Sequence, residues 1–127
     1  MDYKYKLSLV IFTRDLRVDD NLTLIHAVMH SEKILPIFIF TSKQIKNNDR
    51  FNENSYQFMI ESLKELETML PIQFFNDEIE SVILSLKKQN DILDAIYISK
   101  DHTPFAKKRE KLLTKIGKKI KCHFKKY

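Results

Sequence analysis

The fold of this chain is decided by Leu7-Ser8-Leu9-Val10-Ile11-Phe12 and by the later stretch Ile34-Leu35-Pro36-Ile37-Phe38-Ile39-Phe40. Both stretches are short and apolar with little alternation, which predicts strands that are covered on both faces. Between them, Asp20 is placed to cap a helix. Apolar side chains at helical spacing predict that its inward face consists of Leu22, Ile25, Val28 and Met29. The pattern predicts a strand–helix–strand unit, with Pro36 near a strand start or a bulge.

The next helix has the clearest periodicity in the chain. Asn54 and Gln57 have capping-box spacing, and Pro71 ends the helical pattern. Its apolar positions recur at steps of three and four, at Tyr56, Met59, Leu63, Leu66 and Leu70.

Further strands and helices alternate to the end of the chain. Strands are predicted at 72–75, 95–98 and 120–124. The helices between them are opened by Asp77 with Glu80 and by Thr103 with Pro104, and the second ends at Gly117, where a left-handed C-terminal cap favours glycine.

This alternation defines the expected fold class, which is α/β with a doubly wound five-stranded parallel sheet and helices on both faces. The length of 127 residues makes residues 1–127 a single domain. In such sheets ligands bind beyond the carboxyl ends of the strands. The expected functional rim therefore consists of the loops that begin at Thr13, Thr41, Asn76 and Ser99.

The composition excludes several classes of site. One glycine is too few for a phosphate-cradling glycine-rich loop, and one cysteine, Cys122, excludes an intramolecular disulfide framework and a multi-thiolate zinc site. No apolar run approaches the roughly 18 residues that cross a bilayer, and the N-terminus is too polar for a secretory signal. These features predict an intracellular protein, cytoplasmic or nuclear. His26, His30 and His123 lack metal-ligand spacing, so no metal site is expected.

The net charge of +5 is concentrated near the C-terminus. Residues 1–99 hold 11 basic and 15 acidic side chains, whereas residues 100–127 hold 11 basic and 2 acidic side chains. The basic segment fits either a phosphate-binding surface or the solvated face of the last helix beside a charged edge strand, and the second interpretation is favoured. Interleaved aromatic residues are scarce there, so stacking on single-stranded nucleic acid is not supported.

The loop after the first strand is dense in charge. Residues 14–20 contain two arginines and three aspartates, followed by Asn21. The arginines either brace the loop by pairing with carboxylates or contact an anionic ligand directly, and bracing is favoured because nearby acids repel anions. A second cluster, Lys100, Asp101 and His102, is expected to form a helix N-terminus rather than an acid–base site, and no catalytic residue is predicted.

Several of these segments resemble the DNA photolyase and cryptochrome family. FTRDLRVDDNLTL, from Phe12, resembles the family's Arg-x-Asp-Leu-Arg element with its following Asp-Asn. ILPIFIF resembles the second strand, QFMIESLKEL the following helix, and the segment from Asp101 to Glu110 an Asp-x-x-Pro-Tyr element leading into Arg-Asp. The resemblance covers essentially the whole chain, but only the family's N-terminal, Rossmann-like α/β domain.

The resemblance implies an antenna-domain part of a deoxyribodipyrimidine photolyase-like protein, a light-dependent DNA-repair lyase. The family's helical domain, which binds FAD and DNA, lies outside these residues, and the chain contains no tryptophan for an electron relay. This chain is therefore not expected to bind FAD at the redox site, to contact DNA except indirectly, or to be catalytic alone. Activity would require an FAD-binding helical domain from a separate chain.

The resemblance also implies an antenna cleft that holds a deazaflavin, a flavin or a folate. Phe105 and Ala106 stand where folate-binding members carry Asn-Glu, so the folate mode is not expected. Residues that would line or brace the cleft are Arg14, Asp15, Arg17, Asp20, Asn21, Thr41, Ser42, Arg50 and Asp101. An uncovered docking face with Leu16, Phe51 or Phe105 is expected to promote self-association. The alternatives are a stand-alone nucleotide-binding module and a remnant without activity.

Overall fold

The computed structural model describes residues 3–13, 16–40 and 53–127, with the backbone alone for residues 53–56. Within these residues strands and helices alternate, as the sequence pattern predicts. In chain order the elements are β1 (Tyr5–Phe12), α1 (Leu22–His30), β2 (Ser31–Phe40), α2 (Glu53–Met69), β3 (Gln73–Asn76), α3 (Ile79–Gln89), β4 (Leu93–Ile98), α4 (Pro104–Ile120) and β5 (His123–Lys126).

The strands form one parallel sheet in the order β3-β2-β1-β4-β5. Strand β1 is central, and its residue Leu9 lies opposite Leu35 of β2 and Ile96 of β4. The chain builds outward from β1 to one edge, then returns to add β4 and β5 on the other side. This arrangement confirms the predicted doubly wound sheet.

Two apolar layers cover the sheet because alternate residues of β1 point to opposite faces. Leu9 and Ile11 pack with residues of α3 and α4, such as Ile83 and Leu113. The other face of β1 packs with residues of α1 and α2, and its cluster includes Val10, Phe12, Leu24, Ala27, Leu63 and Leu66. The near-continuous apolar strands follow from this burial on both sides.

The orientation of α1 differs from the sequence-based prediction. Its buried residues are Thr23, Leu24 and Ala27. The predicted inward set faces solvent instead: Leu22 is 61% exposed, Ile25 42%, Val28 52% and Met29 63%. Thr23 is buried because its hydroxyl finds a hydroxyl partner beside the sheet, and the small Ala27 allows close approach of the helix. The α1 apolar face, defined as Leu22, Ile25, Val28 and Met29, has no partner within the described part of the chain.

Residue Gly117 also has a different role from the predicted one. Helix α4 continues past it to Ile120, and Lys121 takes the left-handed C-cap conformation with a φ of 60°. A Cβ atom at Gly117 would lie 3.0 Å from the backbone oxygen of Cys122. The glycine therefore permits close contact between the helix and the returning chain, and β5 begins later than predicted, at His123.

Smaller differences concern caps and a proline. Helix α2 begins at Glu53, so Asn54 lies inside it, and Glu78 rather than Asp77 is the N-cap of α3, without a side-chain capping bond. Pro36 lies within β2, one residue before pairing with β3 begins at Ile37. Among the described residues, no strand pairs with that edge of β2 before Ile37, so a missing N–H is tolerated there.

Candidate functional site

The carboxyl ends of β1 and β4 meet at the point where the chain changes direction across the sheet. The two strands are neighbours, yet α1 returns over one face and α4 belongs to the opposite layer. Helices that leave to opposite sides open a crevice between the two strand ends, and doubly wound proteins bind their ligands there. The crevice is bordered by residues 16–21 and by residues 99–103.

The first border of the crevice is fixed by Asn21. Its side-chain oxygen accepts a hydrogen bond from the backbone N–H of Leu24 at 3.1 Å and thereby caps α1. Its amide nitrogen donates to the backbone oxygen of Arg17 at 3.0 Å. Asn21 therefore joins the loop to the helix, and it provides the cap that the sequence had assigned to Asp20.

Asp20 instead provides a left-handed backbone conformation in this border. Its φ of 55° lies in the left-handed region, which aspartate tolerates better than most residues. The side chains of Arg17, Asp19 and Asp20 are exposed. They are accessible to a ligand at the mouth of the crevice, where this loop presents the guanidinium of Arg17 together with the carboxylates of Asp19 and Asp20.

The second border is organised by Asp101. One carboxylate oxygen accepts from the backbone N–H of His102 at 2.7 Å and of Thr103 at 3.3 Å. Thr103 in turn accepts from the N–H of Ala106 at 3.1 Å as the N-cap of α4, and Pro104 opens the helix as predicted. The half-buried Asp101 carboxylate thus lies at the positive end of a helix, consistent with a loop-shaping role.

A hydroxyl pair connects the two borders. The Oγ1 atom of Thr23 lies 2.8 Å from the Oγ atom of Ser99, which joins the first turn of α1 to the residue that follows β4. The sequence marks Ser99 as the start of a rim loop, but Thr23 is absent from the inward face that periodicity predicts for its helix. Their contact links residues far apart in the chain and carries no local sequence signal.

Aromatic rings close the α1 side of the crevice. Tyr127 stacks on His26 with ring centroids 4.0 Å apart and on Tyr97 at 6.0 Å. Its backbone continues the β4–β5 ladder, since Lys100 N–H donates to its carbonyl at 2.7 Å and its own N–H donates to Ile98 at 3.2 Å. No local sequence pattern indicates this cluster, because it joins residues of α1 and β4 with Tyr127, which follows β5.

Tyr97 is the buried member of that cluster. It has no exposed surface, and burial, with smaller contributions from Tyr5 and Tyr127, raises its pKa to about 12. Its hydroxyl has no hydrogen-bond partner within the described part of the chain. A neutral phenol of this kind contributes apolar aromatic surface and does not transfer protons at neutral pH.

The predicted site residues are thus partly brought together. Arg17, Asp20, Asn21 and Asp101 lie on the two borders of one crevice. Five others, Arg14, Asp15, Thr41, Ser42 and Arg50, lie outside the described residues. Of the residues expected on a docking face, Leu16 is half-buried, Phe105 is exposed with the Arg109 guanidinium carbon 5.6 Å from its ring centre, and Phe51 is outside the described residues.

The described ranges contain neither a group of metal-binding side chains nor a cysteine with a lowered pKa. Among residues 3–13, 16–40 and 53–127, no three His, Cys, Asp or Glu side chains are grouped to hold a metal ion. Burial raises the pKa of the Cys122 thiol, whose Sγ atom donates to the carbonyl of Leu93 at 3.1 Å. The same ranges include no helix with the length and apolar character that a bilayer span requires.

The sheet is covered by helices on both faces and has its crevice at the switch point between β1 and β4. These features define an open α/β domain of the Rossmann type. Comparison with known proteins narrows this class. The family model for DNA photolyase matches residues 8–127. The chain therefore belongs to the DNA photolyase family, as its N-terminal α/β domain.

Relatives and solved structures agree with this assignment. Cryptochrome DASH from Idiomarina loihiensis is 30% identical over 104 residues, which cover 75% of this chain and 23% of that protein. A photolyase from Sulfolobus tokodaii, whose crystal structure contains two FAD molecules and implies a novel light-harvesting cofactor, is 33% identical with a TM-score of 0.85. A class III photolyase from Agrobacterium tumefaciens, at 20% identity and a TM-score of 0.84, supports the fold.

Coverage is asymmetric in each comparison. The two photolyase structures match 95% and 100% of this chain but only 29% and 26% of their own chains. The chain thus spans about a quarter of the length of the proteins it resembles.

Proposed function

We propose that this chain is the antenna domain of a photolyase-like protein, and that its β1/β4 crevice forms one wall of a chromophore cleft. The supporting observation is that the family match includes the residues bordering that crevice, from the loop before Asn21 to the Asp101 turn. Light-driven splitting of pyrimidine dimers would then require an FAD-binding helical domain docked onto this domain.

A flavin is the antenna that these residues favour. The Sulfolobus tokodaii photolyase, with its two FAD molecules and implied light-harvesting cofactor, is 33% identical to this chain. Phe105 and Ala106 disfavour the Asn-Glu folate mode, while exposed Phe105 offers an aromatic ring at the rim. Exposed Arg17 and Lys100 provide cations for a flavin phosphate on either border of the crevice.

Flavin binding is tested by titrating the chain with FAD and following flavin fluorescence anisotropy. We expect saturable binding of one equivalent that weakens at least tenfold in Asp101→Ala, because the 99–103 loop loses two backbone hydrogen bonds. Asp91→Ala, at the other end of β4, is the matched control and should bind as the unmodified chain does. Binding weaker than about 1 mM, or equal loss in both variants, would contradict the proposal.

The α1 apolar face is the surface we assign to docking of the helical domain. It is an exposed row of four large apolar side chains, and such patches mark interaction sites in water-exposed domains. It also adjoins the stack of His26 on Tyr127.

Docking is tested by co-expressing the tagged chain with the part of the Sulfolobus tokodaii photolyase that lies outside the matched 29% of that protein. We expect a co-purifying complex that carries flavin absorbance. Met29→Lys in α1 should abolish co-purification, whereas Ile92→Lys at the amino end of β4 should retain it, since both side chains are exposed and neither change disturbs the core. Failure of the unmodified chain to associate, or equal loss in both variants, would refute this docking surface.

A further inference from the structure

Helix α4 presents a continuous basic surface. With about 100° between successive residues, six lysines fall within a sector of about 120°, opposite the buried Leu113 and Ile116. All six are exposed. This lysine face consists of Lys107, Lys108, Lys111, Lys115, Lys118 and Lys119.

The lysine face differs from an ordinary solvated helix face. Solvated faces gain from mixed charge with acidic and basic residues four apart, whereas here Lys107, Lys111, Lys115 and Lys119 follow one another at that spacing. Like charges at this spacing destabilise a helix by a few tenths of a kcal/mol per pair.

The helix ends and its one carboxylate do not neutralise this charge. No acidic residue lies in the first turn of α4, although an acid there would be favourable. The carboxylate of Glu110 projects about 60° outside the lysine sector, and it pairs with Lys126 of β5 at 3.1 Å. Neighbouring lysines of this face therefore repel one another, and an anionic partner would reduce that repulsion.

The spacing of the charges fits the backbone of a duplex. From Lys107 to Lys119 the helix rises about 18 Å. One strand of duplex DNA carries a phosphate every 3.4 Å along its axis, so this length spans about five phosphates for six lysines. No aromatic side chain lies within the lysine face, which favours contact with phosphates over stacking on bases.

We propose that the lysine face of α4 binds the phosphate backbone of duplex DNA without regard to base sequence. This contact would be made by the α/β domain itself, on the layer of the sheet opposite to α1. It requires neither a chromophore nor a helical domain, so it stands or fails independently of the proposed antenna function.

The test measures binding of the full chain to a fluorescently labelled 20-base-pair duplex by anisotropy at 50 and 200 mM salt. For about five phosphate contacts, we expect affinity to fall about 500-fold over that range. A variant with Lys107, Lys111, Lys115 and Lys118 all changed to Gln retains two of the six lysines, and for two contacts its affinity should fall only about 12-fold over the same range.

A control variant carries the same loss of charge elsewhere. It changes four exposed lysines outside α4 to Gln, namely Lys4, Lys6, Lys33 and Lys64, and it should keep the salt dependence of the unmodified chain. Circular dichroism confirms that all three proteins are folded. Duplexes of scrambled sequence should bind equally.

Three results would overturn the proposal. The first is the absence of binding at 50 mM salt. The second is an equal loss in the two variants, which would indicate a response to net charge alone. The third is binding of poly-glutamate or of anionic lipid vesicles as tight as binding of the duplex, which would assign the surface to another class of partner.

Discussion

Replacement of Leu24 by alanine tests how α1 is seated on the sheet. Leu24 is 4% exposed and packs in the apolar layer with Val10 and Leu63. Leu24→Ala removes three buried carbon atoms, worth about 2.4 kcal/mol at about 0.8 kcal/mol each, and it leaves a partly relaxed cavity. We expect a total loss of about 3 kcal/mol in the free energy of unfolding.

The matched variant is Leu22→Ala, two residues earlier in the same helix. Leu22 is largely exposed, so its truncation should change the free energy of unfolding by less than about 0.5 kcal/mol. Both variants make the same chemical change in one helix, and the difference in helix propensity therefore cancels. Any contrast between them reports which face is buried.

Urea denaturation followed by circular dichroism measures this contrast. With a denaturant slope of about 2 kcal/mol per M, the midpoint should fall by about 1.5 M in Leu24→Ala and by about 0.2 M or less in Leu22→Ala. Equal shifts, or a larger shift for Leu22→Ala, would refute the orientation described above. That result would favour the inward face that apolar periodicity predicts.

Three further changes test single contacts. Gly117→Ala should lower the melting temperature with a net cost of about 1 kcal/mol, because the clash with Cys122 outweighs the gain in helix propensity; an unchanged melting temperature would contradict this. Thr23→Val should cost about 1 kcal/mol in urea denaturation by removing the hydroxyl bonded to Ser99, and Thr23→Ser should restore it. For Tyr97, a pKa of about 12 in the folded state against the usual 10 means that its contribution to stability is complete below pH 10 and is lost between about pH 10 and 12. Tyr97→Phe should remove this pH dependence in denaturation curves; an unchanged profile would contradict it.

The fold class was predictable because its determinants are local. The strand stretches at Leu7 and Ile34 are too apolar to face water on either side, and polar or capping residues such as Thr103 with Pro104 separate them from the helices. Strand–helix alternation then allows few topologies, since right-handed crossovers dominate. More than one strand order satisfies that constraint, so the order β3-β2-β1-β4-β5 is known from the structure and not from the sequence.

The orientation of α1 was not predictable from periodicity. The prediction assumed that the most apolar face is the buried one. The buried face instead contains Thr23, whose partner Ser99 lies 76 residues away in the sequence. Burial of a hydroxyl costs free energy unless such a partner exists, and a single sequence does not reveal it.

The site residues that the sequence predicted make local contacts, whereas those that it did not predict make contacts between distant parts of the chain. Asn21 and Asp101 act within a few residues of their own position, as a cap and a turn, and the charged loop and the residues around Asp101 therefore pointed to them. The stack of His26, Tyr127 and Tyr97 joins three elements and depends on the register of β5 against β4. The prediction placed that strand two to three residues early.

The three proposed surfaces occupy different parts of one sheet, and this separation makes them testable one at a time. The crevice lies at the β1/β4 carboxyl edge, the α1 apolar face covers one layer, and the lysine face belongs to the other. Asp101→Ala should therefore affect flavin binding alone, Met29→Lys helical-domain docking alone, and the four-lysine variant DNA binding alone. A variant that reduced all three activities would instead indicate damage to the shared sheet, because no side chain among these reaches both layers.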